Sequence, residues 1–340
     1  MKYQHVENFP NINSWEIIDN NCYYASGNLV KAIGKEVNIP IPLPYWGVEF
    51  NPSFFNVFTN RSVNTFFNYQ GKVINTFEEK DFYYYFSDSS FIYYDRVSKR
   101  LMYNDLELLR GKILSSYIFD DLLFFEKENK IQTINFLSGQ FLWEFSLASL
   151  GKWKNSWDEE RFFEVYKLIG IYNNILWAFI EIGGFIGLDI KTGELKYRIS
   201  EYHMGKESKL FFRSDYYLDN ERGKIFGLAH IFIEIDLNQA PPFVTQYGLQ
   251  EEFEKYNIKK ANDTAEDFVV QDNLLYFYLA DQLRFGVLDI NTKEIIYVSE
   301  PIAVVERDDC FTQLKDLKVS ENKVYILDSN HTLHIFEREE

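Results

Sequence analysis

The chain has 340 residues, of which 46% are hydrophobic and 18% aromatic, so it can bury a large core and favours strands over Ala-rich helices. With 51 acidic and 35 basic side chains its net charge is −16, which argues against binding to the phosphate backbone of nucleic acids. Its two cysteines, Cys22 and Cys310, are too few for a disulfide-rich secreted scaffold.

The N-terminal sequence MKYQHVENFPNINSW lacks the apolar segment of a signal peptide, and no run of about 18 apolar residues follows it. The nearest candidate, Ile175–Ile190, is interrupted by Glu181 and Asp189. The sequence therefore predicts a cytoplasmic protein with no membrane partner.

The chain begins with a predicted edge strand, Lys2–Glu7. Four short strands separated by Asp, Asn and Gly turns come next: Ser14–Ile18, Cys22–Ala25, Leu29–Ile33 and Val37–Ile39. They predict one four-stranded unit. A Pro-rich connection, Pro40–Pro52, follows this unit and carries Tyr45 and Trp46.

The next region is crowded with strand patterns, and its grouping is left open. The predicted strands are Phe54–Phe58, Val63–Tyr69, Val73–Phe77, Phe82–Phe86, Phe91–Asp95 and Leu101–Tyr103. They make one unit and part of a second, or two tight units.

A regular period appears in the rest of the chain. Polar turns that precede an apolar strand begin at Asp121, Asn174, Gly223, Asn273 and Asn322, at steps of 53, 49, 50 and 49 residues. A period near 50 over 340 residues predicts seven repeated units. The crowded region leaves eight as the alternative.

The best copy of the repeat is Gly187–Ile199, which reads GLDIKTGELKYRI. Asp189 and Thr192 can hydrogen-bond the turn backbone, and Gly193 can adopt the positive φ that closes it. Tyr197, four residues after the glycine, can pack between neighbouring sheets. Weaker copies are Ile92–Asn104, Ile134–Phe145 and Val287–Val298, in which Tyr103, Trp143 and Tyr297 hold the aromatic position.

This order of strand, Asp, two residues, Thr-Gly and a later aromatic resembles the blade repeat of the PQQ-like (quinoprotein-type) β-propellers. Together with the period, it predicts an all-β fold: a single β-propeller domain over residues 1–340, with about seven four-stranded blades or eight. The resemblance is to the structural repeat, so it does not imply that pyrroloquinoline quinone binds, and no cofactor is predicted.

The chain ends support closure of the propeller. Leu314–Phe336 supplies three strands and then stops. An open array would leave unpaired sheet edges, which favour aggregation. We therefore expect the N-terminal strand to be the fourth strand of the last blade.

The connections between blades are long and unlike one another: Pro40–Pro52, Leu147–Val165, Ser200–Phe212, Gln239–Asp267 and Glu300–Leu314. Ser156 and Glu159 have capping-box spacing, which predicts a helix over Arg161–Leu168. Leu249, Phe253 and Tyr256 lie at i, i+4 and i+7 on one helical stripe and predict a second helix. Because such connections gather on one face of a propeller, function is expected there.

No catalytic signature is present, since GxxxxGK[ST], GxGxxG and GxSxG are all absent. His331 and His334 are poor joint metal ligands and are interpreted as surface or edge histidines, so no metal site is predicted. His203, in a connection, titrates near neutrality. The acidic clusters are interpreted as solvated loops.

Three tryptophans lie in connections, beside acids and prolines. They are either interface anchors or rings that fold back over the blades. The predicted binding residues are Tyr45, Trp46, Trp153, Trp157, Asp158, Tyr202, His203, Glu251 and Asp308.

The sequence thus predicts a non-catalytic propeller that binds another protein through its loop-rich face, as an immunity-type inhibitor or a scaffold. The acidic surface favours a basic partner. The alternative is a hydrolase or lyase with its site in a central funnel.

Overall fold

The computed structural model describes residues 1–59, 63–154, 157–204, 207–209, 211, 215–258, 267–302 and 312–339. These residues form eight four-stranded antiparallel sheets, the blades of a β-propeller, and two small hairpins. By its internal packing the chain divides into two compact units. The first unit is Met1–Asp105 with Lys255–Glu340, and the second is Leu106–Glu254.

The chain opens with β1 (Tyr3–Phe9). Sheet one is β2 (Ser14–Ile18), β3 (Asn21–Ser26), β4 (Leu29–Ala32) and β5 (Lys35–Pro40). Sheet two is β6 (Gly47–Phe50), β7 (Phe54–Phe58), β8 (Val63–Asn68) and β9 (Val73–Glu78). Sheet three is β10 (Lys80–Ser87), β11 (Ser90–Asp95), β12 (Arg100–Tyr103) and β13 (Leu106–Arg110).

Sheet four is β14 (Ser116–Phe119), β15 (Leu122–Lys127), β16 (Lys130–Asn135) and β17 (Gln140–Ser146). A hairpin follows, β18 (Lys152–Lys154) and β19 (Glu160–Phe162). Sheet five is β20 (Val165–Tyr172), β21 (Ile175–Ile180), β22 (Gly184–Asp189) and β23 (Leu195–Ile199). A second hairpin is β24 (Tyr202–Met204) and β25 (Glu207–Lys209).

Sheet six is β26 (Tyr216–Asp219), β27 (Lys224–Leu228), β28 (Ile231–Asp236) and β29 (Phe243–Gly248), followed by the short helix α1 (Gln250–Glu254). Sheet seven is β30 (Phe268–Gln271), β31 (Leu274–Leu279), β32 (Arg284–Asp289) and β33 (Glu294–Val298). Sheet eight is β34 (Leu314–Ser320), β35 (Lys323–Asp328) and β36 (Leu333–Arg338), with β1 paired to β36.

The blade number is the predicted alternative, eight, and the prediction of seven is wrong. The second strands of the first four sheets begin at Asn21, Phe54, Ser90 and Leu122, which are only 32 to 36 residues apart. The next steps, from Leu122 to Ile175, Lys224 and Leu274, are 49 to 53 residues, because the two hairpins and α1 are inserted between these sheets. The sequence pattern does not indicate β6, which lies within the Pro-rich connection, or β13. It therefore predicts too few sheets in this region.

The predicted closure of the last sheet by the N-terminal strand is confirmed. Strand β1 runs antiparallel to β36, with Gln4 opposite Glu337 and Asn8 opposite His334. The pairing covers an edge of β36 that would otherwise expose unpaired backbone groups.

The second strand of each sheet is buried on both faces. Phe124 and Phe125, consecutive in β15, are both fully buried, although successive side chains of a strand point to opposite faces. The fourth strands are different: β9 and β17 are mostly exposed. Face-to-face stacking of sheets explains this gradient, and each large side chain buried in this way contributes about 1.5–3 kcal/mol.

One of the two predicted helices forms. Residues 250–254 are helical, Leu249 and Phe253 of the predicted stripe are both buried, and Tyr256 lies beyond the end of the helix. The helix predicted over Arg161–Leu168 is wrong, because Glu160–Phe162 pairs with β18 and Val165–Tyr172 pairs with β21. Strand pairing satisfies the backbone of this segment and outweighs the capping signal at its start.

Trp143, which holds the aromatic position of its repeat, links sheet four to sheet five. The indole N–H of Trp143, in β17, donates to the carbonyl of Ile190 at 2.8 Å. The same indole covers the turn at Gly193, where an added Cβ would lie 2.5 Å from the ring. Gly193 also has φ +71°, as the turn requires. Trp143 therefore fits this turn because residue 193 has no side chain.

Replacing Gly193 by Ala should destabilise the protein more than the same change at Gly139. Both glycines have the same left-handed backbone, φ +71° and +72°, but a Cβ at Gly139 meets nothing nearer than 3.5 Å. The difference isolates the clash with Trp143, and we expect it to be about 1–3 kcal/mol. Urea unfolding of the two variants measures it, and equal losses would contradict the proposed fit.

A buried contact between a histidine and an aspartate fixes the turn between β35 and β36. Nε2 of His334 lies 2.9 Å from Oδ2 of Asp328, and both residues are buried. The other oxygen accepts hydrogen bonds from the backbone amides of Asn330 and Thr332. The interpretation of His334 as a surface or edge histidine is therefore wrong. Burial raises the pKa of Asp328, but these hydrogen bonds outweigh it and hold the pKa below its usual range.

Replacing Asp328 by Asn should lower the free energy of unfolding by about 2–4 kcal/mol at pH 7, because a neutral amide replaces a buried, paired carboxylate. A depressed carboxyl pKa stabilises the fold above the unfolded value of about 3.9 and ceases to do so as the pH falls through the folded value. The loss should therefore shrink on acidification to about pH 3.

The matched control is Asp189→Asn, at a half-buried aspartate that also accepts turn amides. Urea unfolding of both variants at neutral and acidic pH makes the comparison. An equal loss in the two variants, or a loss for Asp328→Asn that does not change with pH, would contradict the role of this buried pair.

Candidate functional site

Trp46 lies at one edge of sheet two, directly before β6. Its backbone N–H donates to the carbonyl of Phe58 at 2.6 Å, which fixes the start of the sheet. Its side chain is 67% exposed. β6 begins, β7 ends and β8 begins at this same end of the sheet, with Gly47 opposite Phe58 and Phe58 opposite Asn64. Residues of three strands therefore meet beside the indole.

A cleft of about 310 Å³ opens beside Trp46, within the first unit. The chain enters sheet three at the same place, so the first residues of β10 complete the wall. The residues that line this Trp46 cleft are Trp46, Gly47, Phe58, Asn64, Lys80, Asp81, Phe82 and Arg96.

The aromatic wall of the cleft is held by packing beneath it. The ring of Phe82 contacts Phe66 at 5.2 Å and Phe77 at 5.3 Å between centroids, and it stacks on Tyr85 at 5.4 Å. Phe66 is fully buried. The apolar surface offered by Phe82 therefore exists before any ligand arrives, which lowers the cost of binding.

The other wall is charged. The guanidinium of Arg96 contacts Oδ1 of Asp81 through Nε at 2.8 Å and also through Nη2. The hydrogen bond to Asp81 raises the pKa of Arg96. Nζ of Lys80 lies 4.1 Å from the ring centroid of Tyr93 and 4.9 Å from that of Phe77. Burial lowers the pKa of the Lys80 amine.

Beneath the cleft, a polar network crosses the sheets. Asn64 is buried, and its amide donates to the carbonyl of Lys80 at 2.9 Å. Its oxygen accepts from Asn56, which also donates to the hydroxyl of Tyr85. Tyr85 in turn donates to Glu49 at 2.9 Å. These bonds fix the start of β10, and with it the position of the charged wall.

Glu49 and Tyr85 form a hydrogen-bonded pair in which the pKa of each group is raised. Surrounding protein raises the pKa of the Glu49 carboxyl, and the hydrogen bond from Tyr85 only partly offsets this. Burial and the neighbouring carboxylate raise the pKa of Tyr85. Neither group belongs to the lining of the cleft.

A second cleft, also in the first unit, is lined by residues of β2, β30 and β34 and measures about 560 Å³. Its lining is mostly polar and includes the ion pair between Glu16 and Lys318, at 2.7 Å. No aromatic side chain lines it, so it offers less to an apolar anchor than the Trp46 cleft does.

The predicted binding residues separate into exposed and folded-back groups. Tyr45 folds back: it packs against the core cluster of sheets one and two, and its hydroxyl accepts from Asn13 at 2.8 Å. Trp153 also folds back, onto the core cluster that contains Leu147 and Leu150. Trp46 and Trp157, at 67% and 78% exposed, keep the geometry of an interface anchor.

Trp153, Trp157 and Asp158 belong to one element, the β18–β19 hairpin of the second unit. Its strands are linked by Lys152 to Glu160 at 3.0 Å, and Asp158 contacts Lys154 at 3.2 Å. Trp153 attaches the base of the hairpin to the core, while Trp157 lies near its turn. The hairpin therefore presents Trp157 to solvent.

The remaining predicted binding residues lie apart from these. Tyr202 and His203 belong to β24, but their side chains lie outside what the structure describes. Glu251 is exposed on α1. Asp308 lies outside the described residues.

The sequence predicted Trp46 but not the other seven residues that line the cleft: Gly47, Phe58, Asn64, Lys80, Asp81, Phe82 and Arg96. The predicted strand Phe82–Phe86 begins just after Lys80 and Asp81, and none of the seven belongs to a motif with known chemistry. The only indication in the sequence was the cluster of aromatic strands after Phe54. It predicts a core rich in aromatic rings but does not say which residues of neighbouring strands lie side by side.

The described residues include no group of three His, Cys, Asp or Glu side chains arranged as metal ligands. Among the helices of the same ranges, none combines the length and the apolar character needed to cross a membrane.

No protein-family model matches the sequence, and the comparison with curated proteins finds no significant match. Solved structures match in fold. BamB from Moraxella catarrhalis has a TM-score of 0.62 at 11% identity, over 99% of this chain and 100% of that one. Sqt1 from Saccharomyces cerevisiae has a TM-score of 0.62 at 9% identity, over 99% of each chain. The computationally designed Ika8 protein has a TM-score of 0.53 at 12% identity, over 98% of each.

BamB and Sqt1 are both β-propellers, so the predicted resemblance to that fold is confirmed. At these identities the similarity concerns the fold alone. The finer resemblance to the PQQ-like class still depends on the repeat motif in Gly187–Ile199.

Replacing Trp153 and Trp157, the two tryptophans of the hairpin, should lower the free energy of unfolding by different amounts. Trp153→Ala opens a space against the core cluster and should lower the free energy of unfolding by about 1–3 kcal/mol. Trp157→Ala should change it by no more than about 0.5 kcal/mol, because the side chain is mostly exposed. Urea unfolding measures both variants, and a larger loss for Trp157→Ala would show that the exposed and buried roles are misassigned.

Proposed function

We propose that the protein is a non-catalytic β-propeller that binds another protein, with the Trp46 cleft as its principal contact. The observation that supports this most directly is the 67% exposure of Trp46 beside a prebuilt aromatic wall. Exposed tryptophan and arginine side chains around a pocket are the composition of a protein-binding hot spot.

The size of the cleft supports a protein rather than a large cofactor as the ligand. Its volume of about 310 Å³ is at the lower limit for pockets that enclose small molecules, which span roughly 300–1,000 Å³. A cleft of this size receives one large side chain, and the surrounding sheet edge would supply the rest of the contact.

The β18–β19 hairpin supplies a second exposed aromatic side chain, Trp157, in the other unit. The charges on the hairpin are largely engaged with one another, as in the pairs Lys152–Glu160 and Arg161–Glu159. Trp157 is therefore its main apolar contribution. We assign Trp157 the role of an accessory contact, and its contribution to binding is measured separately from that of Trp46.

The finer versions of this function are an immunity-type inhibitor and a scaffold. The net charge of −16 would attract a basic partner at long range and speed its association. The alternative function, a hydrolase or lyase, stays a prediction from the sequence.

Affinity capture from lysate of the source organism tests the proposal. Tagged wild type and Trp46→Ala are compared, with Leu142→Ala as the control, because Leu142 is 40% exposed on β17 and lies outside every connection. Loss of a hot-spot side chain should reduce recovery of the specific partner at least about tenfold, equivalent to about 1.4 kcal/mol.

Circular dichroism and thermal unfolding should match among the three proteins, so that lost capture reports on binding. If Trp46→Ala recovers the same proteins in the same amounts as Leu142→Ala, the cleft is not the principal contact and the proposal is wrong. Trp157→Ala, run in parallel, gives the contribution of the hairpin.

A further inference from the structure

The Trp46 cleft has a local charge opposite to that of the whole chain. Its lining contains two cations, Lys80 and Arg96, and one carboxylate, Asp81, whereas the chain carries a net charge of −16. The net charge of the chain therefore attracts a basic partner at long range, whereas the lining of the cleft favours an acidic group at short range. The residues of the lining determine which group binds inside the cleft.

Lys80 is held in an aromatic setting. Its ammonium lies over the rings of Tyr93 and Phe77, so its Nζ contacts the π faces of both rings. The faces of aromatic rings stabilise a cation but do not neutralise it. An incoming carboxylate would add the hydrogen bond and the opposite charge that rings cannot supply.

Arg96 is positioned by Asp81 and retains donor capacity. A guanidinium carries five N–H donors on three nitrogens. The contacts with Asp81 use Nε and Nη2, and the backbone amide of Arg96 donates to the carbonyl of Glu79 at 2.8 Å. Asp81 thus orients the guanidinium and neutralises one cation of the lining, which leaves a net charge of +1 with Lys80.

Two further carboxylates act on Lys80 from nearby. Asp95 and Asp105 raise its pKa, against the larger lowering effect of burial. Asp95 is engaged in the turn after β11, where its Oδ1 accepts from the amides of Val97 and Ser98 at 2.9 and 2.8 Å. Neither carboxylate lines the cleft, so the charged residues that a ligand inside it meets are Lys80, Arg96 and Asp81.

We propose that the Trp46 cleft recognises, in a partner protein, a large aromatic side chain flanked by an acidic residue. The aromatic ring packs against Trp46 and Phe82, and the neighbouring carboxylate reaches Lys80 and Arg96. This inference deepens the proposed function and depends on it, because it names the chemistry that the same cleft selects.

Three blocked peptides with one changed residue test this selectivity: acetyl-Gly-Glu-Phe-Gly-amide and its Gln and Lys counterparts. Binding is followed through the indole N–H resonance of Trp46, which Trp46→Phe identifies among the six tryptophans of the chain. The Glu peptide should bind about three- to tenfold more tightly than the Gln peptide, and the Lys peptide should bind more weakly than both.

Lys80→Gln should remove most of the preference for Glu over Gln and leave binding of the Gln peptide in place. Lys80 is chosen over Arg96, whose loss would also leave Asp81 without its partner. Lys152→Gln is the matched control, because Lys152 also lies over an aromatic ring, that of Phe162 at 5.2 Å, but on the β18–β19 hairpin. The control should keep the full preference.

The inference is overturned if the Lys peptide binds as tightly as the Glu peptide, if Lys80→Gln keeps the preference, or if no peptide shifts the Trp46 resonance. Capture that depends on Trp46 without a preference for the Glu peptide would refute the acidic motif and retain the proposed function. Capture that is independent of Trp46 would refute the proposed function itself.

Discussion

The stacking of one sheet on the next through large aromatic side chains is the interaction on which the fold depends. Trp143 covers the turn of the following sheet and donates a hydrogen bond into it. Tyr3, on β1, packs against Phe285 and Tyr297 of sheet seven in the same way. An aromatic ring suits this position because it buries a large area while its polar atom still finds a partner. The composition of the chain reflects that demand.

The same aromatic packing prepares the Trp46 cleft. Phe82 is fixed by Phe66 and Phe77, and the start of β10 is fixed by the buried amide of Asn64. A surface supported in this way loses little conformational entropy when a partner binds. Buried polar networks are costly to maintain unless they are well hydrogen-bonded, and this one positions the two cations beside an exposed indole. Stability and recognition therefore depend on the same layer of side chains.

The sequence predicted what local patterns determine. Strand limits such as Ser14–Ile18, the Asp189–Gly193 turn and the pairing of the N-terminal strand with the last sheet follow from alternation, turn residues and the need to cover edges. The blade number was missed because β6 lies in a Pro-rich segment. The cleft was missed because Phe58, Phe82 and Arg96 come together through register between sheets, which no single segment encodes. Tyr45 and Trp153 show the same limit, since a tryptophan or tyrosine in a connection can point either way.

The pairing of β1 with β36 has a consequence for how the chain reaches this state. Tyr3 and its partner Arg338 lie 335 residues apart in the chain. Sheet eight therefore cannot be completed until residue 338 has been synthesised, and the loop-closure cost of this pairing falls on a late stage of folding. Until then the strands of sheet eight have unpaired edges, so nascent or truncated chains that lack β36 should be the species most prone to intermolecular strand exchange.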